Sequence, residues 1–138
     1  MSLIPLQLER SFFTKLHIDV NQEYRADQNK TENAEVEIAV GLNVAQHNSD
    51  PHRYQIRLTI DGIEGKEAPT PYNISLQIVG YFVVDNEFEH NHIAKLVEIN
   101  GASILYSAAR EQVLNVTGRG PWGAFQLPTI NFNNTKEN

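Results

Sequence analysis

The sequence contains no cysteine, which excludes disulfide bonds, thiolate metal sites and a cysteine nucleophile together. It also lacks any run near the roughly 18 consecutive apolar residues that a membrane-spanning helix needs. Its first seven residues, Met1 to Gln7, lack the positively charged and then apolar stretch of a secretion signal. We therefore expect a cytoplasmic protein that is not inserted in a membrane.

Basic residues are scarce as well. Lys and Arg number 11 against 17 Asp and Glu, and the net charge of -6 is spread along the chain without the basic stripe that phosphate backbones require. We therefore expect no nucleic-acid partner. A chain of 138 residues can close one hydrophobic core but hardly two, so we predict a single domain over residues 1–138.

Alternation of apolar and polar residues predicts four strands. The pattern is strict over residues 35–44 and resumes over residues 53–60 after a turn-forming stretch, which predicts an antiparallel hairpin. Residues 6–20 read as a strand with a bulge or a change of face. Residues 73–84 change parity at Val79, and this change predicts a second bulge next to Gly80.

After residue 86 the apolar period becomes helical. A first helix is expected to end at Asn100 and Gly101, where glycine often supplies a left-handed residue, and a second is expected to run from a capping Ser103 to Gly118. No helix-length segment separates the strands, which disfavours a parallel sheet. The fold class is therefore α+β, a four-stranded antiparallel sheet with helices packed on one face.

Two neighbouring histidines, His90 and His92, are the best candidates for a metal pair, with Glu87, Glu89 or Glu98 as further ligands. On a helix, however, positions two apart point roughly 200° away from each other. We therefore predict no metal, and keep a metal- or small-ligand-binding protein as an alternative interpretation.

Other patterns that suggest chemistry are incomplete. The glycine-rich run at residues 118–123 lacks the Lys-Ser/Thr pair of a phosphate-binding loop, and Glu35 and Glu37 share a strand face that we expect to be solvated. No Gly-x-Ser-x-Gly elbow occurs. We predict that the protein is not an enzyme and needs no cofactor.

The end of the chain carries the most specific pattern. Residues 104–111 read Ile-Leu-Tyr-Ser-Ala-Ala-Arg-Glu, an Arg-Gly turn follows at residues 118–120, and residues 127–132 read Leu-Pro-Thr-Ile-Asn-Phe. In order and spacing these segments resemble the SecB family of export chaperones, in which an apolar Ala-Arg-Glu helix precedes an Arg-Gly turn and a Pro-x-Val/Ile-Asn-Phe ending. Residues 6–15 and 35–44 resemble the family's first two strands more weakly.

The resemblance implies an ATP-independent chaperone that holds unfolded polypeptides, including preproteins for export, as a dimer of dimers. Trp122, Phe125, Leu127 and Phe132 are the candidate client-binding residues, because an irregular aromatic segment can accommodate different side chains. Alternatively, the same residues cover the protein's own sheet. A second hypothesis is an adaptor or antitoxin-type chaperone, built on the same fold and dedicated to one partner.

The sequence departs from the family pattern at several positions. Family members that dock on the SecA motor carry acidic residues on the exposed sheet face, where this chain resembles them only at Asp19 and has Lys15 and Ser75 instead. Asp19 is therefore the single retained candidate for docking on a translocase motor. A Tyr-Ser-Ala run at residues 106–108 replaces the family's Phe-Pro-Tyr and removes its proline kink. The family's last helix has no counterpart before Asn138, so we expect a shortened client groove.

Overall fold

The computed structural model describes residues 6–24, 37–63, 70–85 and 90–132, in which four strands precede a helical region. The strands are β1 (Leu6–Val20), β2 (Glu37–Gln46), β3 (Arg53–Ile63) and β4 (Tyr72–Val84). They form one antiparallel sheet in the order β1-β4-β3-β2. The predicted α+β class with an antiparallel sheet is confirmed, and β1 and β2 are the edge strands of that sheet.

The hairpin of β2 and β3 is closed by Asp50. The Asp50 backbone carbonyl accepts the Arg53 amide at 3.1 Å, and its carboxylate accepts the His52 amide at 3.0 Å. β3 continues to Ile63, past the predicted end at residue 60. Residues 61–63 of β3 continue to pair with β2, and Asp61 also lies opposite Ser75 of β4, whose hydroxyl donates to the Asp61 carboxylate at 2.6 Å.

The predicted bulge in β1 is confirmed, and the strand contains two irregularities. Its register against β4 slips once between Leu8 and Arg10 and again between Phe13 and Lys15. Each slip gives β1 one more residue than its partner, so Glu9 and Thr14 are extra residues relative to β4.

The bulge predicted in β4 next to Gly80 is wrong. The pairing of β4 with β3 runs without interruption from Val83 to Ser75, and Phe82 stays on the face that the helix covers. Gly80 faces the helix, and glycine is required there because a Cβ would lie 2.8 Å from Leu105 Cδ2. Val79, which suggested the change of parity, is buried at 3% exposure on the opposite, outer face of the sheet.

The helical region comprises α1 (His90–Leu96), a π-helical turn (Val97–Gly101) and α2 (Ala102–Thr117). The predicted break at Gly101 is wrong, because Gly101 has a right-handed φ of -63° and the helix passes through it. Glycine is required there by packing, since a Cβ would overlap Ile56 Cδ1. Ser103 does not cap a helix, and its hydroxyl donates to the Ile99 carbonyl at 2.9 Å.

The core lies between this helical region and the two central strands. Side chains of β3 and β4 with almost no exposure meet Leu105, Ala109 and Val113 of α2 in one hydrophobic cluster. The predicted placement of helical structure on one sheet face is confirmed. Among the described residues, no helix is long and apolar enough to cross a membrane.

Candidate client-binding and docking surfaces

The segment that follows α2 is anchored by two hydroxyl groups. The buried Thr117 hydroxyl donates to the Val113 carbonyl at 2.7 Å and accepts the Phe125 amide at 2.8 Å. The Tyr72 hydroxyl accepts the Trp122 amide at 3.1 Å and donates to the carbonyl of residue 123 at 2.8 Å. The irregular segment over residues 118–132 is thereby held against both the helix and the sheet.

Two of the four predicted client-binding residues, Leu127 and Phe132, are buried, at 1% and 3% exposure. The Phe132 ring packs edge-on against Tyr106 with the ring centroids 5.7 Å apart, and the Arg110 guanidinium donates to the Leu127 carbonyl at 3.1 Å. In this structure Leu127 and Phe132 therefore belong to the protein's own core, which favours the alternative interpretation for these two side chains.

Tyr106, on which the Phe132 ring packs, also carries a polar hydroxyl. Its hydroxyl donates to the Pro128 carbonyl at 2.5 Å, which attaches the end of the segment to α2. Burial raises the pKa of Tyr106 to about 12, although the nearby Arg110 charge acts in the opposite direction. The neutral phenol, which can donate this hydrogen bond, is therefore the form present near neutral pH.

The other two predicted client-binding residues, Trp122 and Phe125, lie nearer the surface. Trp122 is 37% exposed, its indole N–H donates to the Asn21 carbonyl at 3.1 Å, and its ring meets Tyr24 edge-on. Phe125 is half-buried against Tyr72, with the ring centroids 6.4 Å apart. Of the four predicted residues, these two are the ones that are not fully buried, and their role in client binding stays a prediction.

Sequence reasoning missed two further apolar surfaces, which lie on either side of the helix. The first, the β1 strip, consists of Leu8, Leu16 and Val20, each 39–42% exposed. The second, the β2 strip, consists of Val44, which is 37% exposed, and the partly buried Ile38, Val40 and Leu42.

Both strips face the helix side of the sheet, because their members pair directly with core residues. Leu16 lies opposite Leu76, and Val44 lies opposite Ile56. The helical region covers the central strands and leaves the edge strands partly open. Alternation alone indicates which face of a strand is apolar, but it does not show how far the helix covers that face.

The predicted docking residue Asp19 is exposed on the outer face of the sheet. Its side chain is 62% exposed, and one carboxylate oxygen lies 2.7 Å from His17 Nε2. Lys15 and Ser75 lie on the same face, opposite Gln77 and His17 respectively. Lys15, Asp19 and Ser75, the positions at which docking members of the family carry acidic residues, therefore lie on one surface. Docking through Asp19 stays a prediction.

The candidate metal pair falls outside the described side chains, since nothing is described of the side chains of His90 and His92 or of residues 86–89. The same holds for the paired carboxylates Glu35 and Glu37. Within the described part of the chain, no three His, Asp or Glu side chains gather in a way that would hold a metal ion.

The sequence model of SecB, described as "Preprotein translocase subunit SecB", matches residues 5–135. This chain belongs to the SecB family. The protein-export protein SecB of Acinetobacter baylyi is 25% identical over 127 residues, which cover 92% of this chain and 81% of that relative. SecB-family proteins are chaperones without enzymatic activity, so the predictions of family and of a non-enzymatic protein are confirmed.

Solved structures agree with the SecB fold. A SecB-like chaperone of Mycobacterium tuberculosis, in complex with a ChAD peptide from the HigA1 antitoxin, superposes with a TM-score of 0.68 at 14% identity, covering 92% of this chain and 91% of that one. A protein of unknown function from Streptococcus agalactiae gives a TM-score of 0.51 at 15% identity, with 93% and 100% coverage. At these identities the similarity shows the fold.

Proposed function

We propose that this SecB-family chaperone holds unfolded polypeptides in the cytoplasm without ATP, and that preproteins for export are among its clients. The observation that supports the proposal is the pair of uncovered apolar strips on the edge strands β1 and β2. Within the described chain each edge strand pairs with one neighbour, so its other edge presents backbone donors and acceptors. An extended client offers both matching features, unpaired backbone groups and apolar side chains.

The size of the strips argues for several binding sites acting together. Burying a Val or Leu side chain completely contributes about 1.5–3 kcal/mol, so covering the remaining 42% of Leu16 contributes about 1 kcal/mol. One strip of three such residues then gives about 3 kcal/mol, less than the 4 kcal/mol or more that association costs. In a dimer of dimers, one client can bind several strips at once, and their summed burial energy can exceed the cost of association. We therefore include that assembly in the proposal.

The C-terminal segment adds to this client surface in the proposal. Trp122 and Phe125 lie within reach of a client, while Leu127 and Phe132 support them from the core. We therefore assign client contact to the first pair and a structural role to the second.

Suppression of aggregation of reduced insulin, followed by light scattering, tests the holdase proposal. Replacing an apolar residue in each strip, Leu16→Ser with Val44→Ser, should weaken the suppression, because polar side chains there give clients less apolar surface to bury. Tyr81→Ser is the matched control, since Tyr81 has the same 37% exposure as Val44 but lies on the outer face. Equal loss in the control, or full suppression by the double variant, would contradict the proposal.

A second candidate function is that of a chaperone dedicated to one partner protein. The similarity to the Mycobacterium tuberculosis chaperone with its bound antitoxin peptide supports it. The proteins that copurify with the tagged chain from its own cells separate the two functions. One dominant partner indicates a dedicated chaperone, and a mixture of unfolded preproteins indicates a general one.

Light scattering of the purified protein measures the oligomeric state, and a monomer would contradict the cooperation of several strips.

Docking on a translocase motor is the remaining part of the export proposal, and we assign it to Asp19. Asp19→Asn should weaken binding to the purified motor, because it removes an exposed charge. Glu111→Gln, an equal change of charge at an exposed position of α2, is the control. Identical binding by wild type and Asp19→Asn would remove Asp19 from the docking surface.

A further inference from the structure

We propose that the outer face of the sheet binds an acidic polypeptide segment of a partner protein. The binding surface, here called the basic aromatic patch, consists of Arg10, Phe12, Lys15, Arg57, Val79 and Tyr81. This proposal does not depend on the holdase function, because the patch lies on the face opposite the apolar strips.

The centre of the patch is apolar. Val79 faces away from the helix and yet is only 3% exposed, because side chains on the outer face cover it. Phe12 lies directly opposite Val79, and its ring centroid is 5.8 Å from that of Tyr81. Tyr81 remains 37% exposed. An aromatic surface of this kind can bury an apolar side chain of a partner.

Three cations surround this centre. The Arg10 guanidinium lies 4.9 Å from the Phe12 ring centroid, Arg57 pairs with Val79 from the neighbouring strand, and Lys15 lies opposite Gln77, two residues from Val79. Among the described residues, none of these three cations forms an ion pair with a carboxylate. Their charges are therefore available to a partner.

Three described carboxylates of the outer face form hydrogen bonds to residues outside the patch. Glu9 binds Arg53, Asp19 binds His17, and Asp61 accepts the Ser75 hydroxyl. The chain as a whole carries -6, whereas the patch itself contains three cations and no carboxylate. Complementary charge steers association and selects partners, which favours an acidic one here.

An open groove of about 620 Å³ adjoins the patch and gives the partner a place for a side chain. It begins at Tyr81, passes Gln55 and Ala45, and reaches the turn at residues 47–49. Ala45, Gln55 and Tyr81 form one row across the three strands, and the small alanine leaves space at the end of that row. The partner segment is thus one whose acidic residues lie over the cations and whose aromatic residue enters the groove beside Tyr81.

Fluorescence anisotropy with a labelled Asp- and Glu-rich peptide that contains one Phe tests this proposal. The control ligands are the same peptide with Lys at the acidic positions and a single-stranded oligonucleotide. We expect the acidic peptide to bind most tightly, and its affinity to fall as salt rises from about 0.05 to 0.5 M, because solvent-exposed charges are screened. Equal binding of the basic peptide, or tighter binding of the oligonucleotide, would overturn the proposal.

Charge-reversal variants locate the site. Lys15→Glu combined with Arg57→Glu should weaken binding of the acidic peptide about tenfold or more, because two attractions become repulsions. Lys95→Glu, an exposed lysine of α1 on the helix side, is the matched control and should change the affinity less than about twofold. A similar loss in Lys95→Glu would show an effect of net charge only and refute the site. Aggregation suppression by the double variant should equal that of wild type, so failure of this inference is distinguishable from failure of the holdase proposal.

Discussion

Replacing Gly101 with alanine should destabilise the protein, although alanine is the better helix former. Gly101 has a φ of -63°, which alanine adopts without strain, and it lies inside the helical region. From helix propensity alone the substitution would stabilise by about 1 kcal/mol. Packing opposes it, because the new Cβ would overlap Ile56 Cδ1.

The packing term is the larger of the two. Inserting a methyl group into a filled core costs about 1–3 kcal/mol. Ile56 has 0% exposure, and Phe82 Cζ would stand 3.5 Å from the same Cβ, so the isoleucine has little room to move aside. Subtracting the helix-propensity gain of about 1 kcal/mol leaves an expected net loss of up to about 2 kcal/mol in the free energy of unfolding.

A double-mutant cycle with Ile56→Val isolates this contact. Ile56→Val removes Cδ1 and costs about 0.5–1.5 kcal/mol by itself. In that background the next nearest atoms to the Cβ, Phe82 Cζ at 3.5 Å and Ile56 Cγ1 at 3.6 Å, are at ordinary contact distance. Gly101→Ala should then stabilise by up to about 1 kcal/mol, which gives a coupling energy of about 1–3 kcal/mol.

Urea unfolding, followed by far-UV circular dichroism at one fixed protein concentration, measures the four free energies of the cycle. The fixed concentration keeps the contribution of the proposed assembly to apparent stability constant. Additivity of the two substitutions within about 0.5 kcal/mol would refute the reasoning. So would a stabilising effect of Gly101→Ala in the wild-type background.

Three further substitutions test the attachment of the C-terminal segment. Tyr72→Phe removes the acceptor of the Trp122 amide and should lower the free energy of unfolding by about 1–2 kcal/mol. It should also change the fluorescence of Trp122, which is the only tryptophan. An unchanged emission spectrum would contradict the contact. Because the folded-state pKa of Tyr106 is about 12 against an ordinary 10, its contribution to stability is present below pH 10 and is lost as pH rises towards 12. Urea midpoints should therefore fall less over this range in Tyr106→Phe than in wild type, and parallel curves would exclude the effect. Phe132→Ala should lower the free energy of unfolding by about 3–5 kcal/mol, whereas a loss below about 1 kcal/mol would show that the ring is not buried.

The strands were predictable where one face is apolar and the other polar. β2 and β3 follow this pattern, and their hairpin was predicted with its turn. The pattern failed at Val79, because two consecutive apolar residues, Ile78 and Val79, are compatible both with a bulge and with burial on both faces. Val79 can be buried on the outer face because Phe12, on a strand distant in sequence, lies opposite it. Periodicity within one segment carries no information about such a contact.

The helix boundary at residue 101 failed for a related reason. Asn-Gly commonly ends a helix through a left-handed glycine, but a glycine is also used where a helix approaches a sheet closely. The proximity of Ile56 decides between the two, and it is a property of the packed structure. Local sequence chemistry alone allows both.

The candidate surfaces were predictable in part. The Pro-x-Ile-Asn-Phe ending identified the family, because it is specific in order and spacing. It did not show that Leu127 and Phe132 are buried, since an apolar residue in an irregular segment has no periodicity that indicates a face. The β1 and β2 strips were missed because their exposure depends on the width of the helical cover.

The two extra residues of β1 bear on how this family changes in length during evolution. Glu9 and Thr14 each add one residue to β1 without changing the direction of the side chains on either side, so Leu8, Phe13 and Leu16 all face the helix. A relative that lacks either extra residue keeps every core position. Loss of Ser11, in contrast, would move the core side chains on one side of the deletion to the outer face of the sheet. Single-residue gaps in family alignments should therefore collect at positions 9 and 14, and an alignment that forbids them would compare core residues with surface residues.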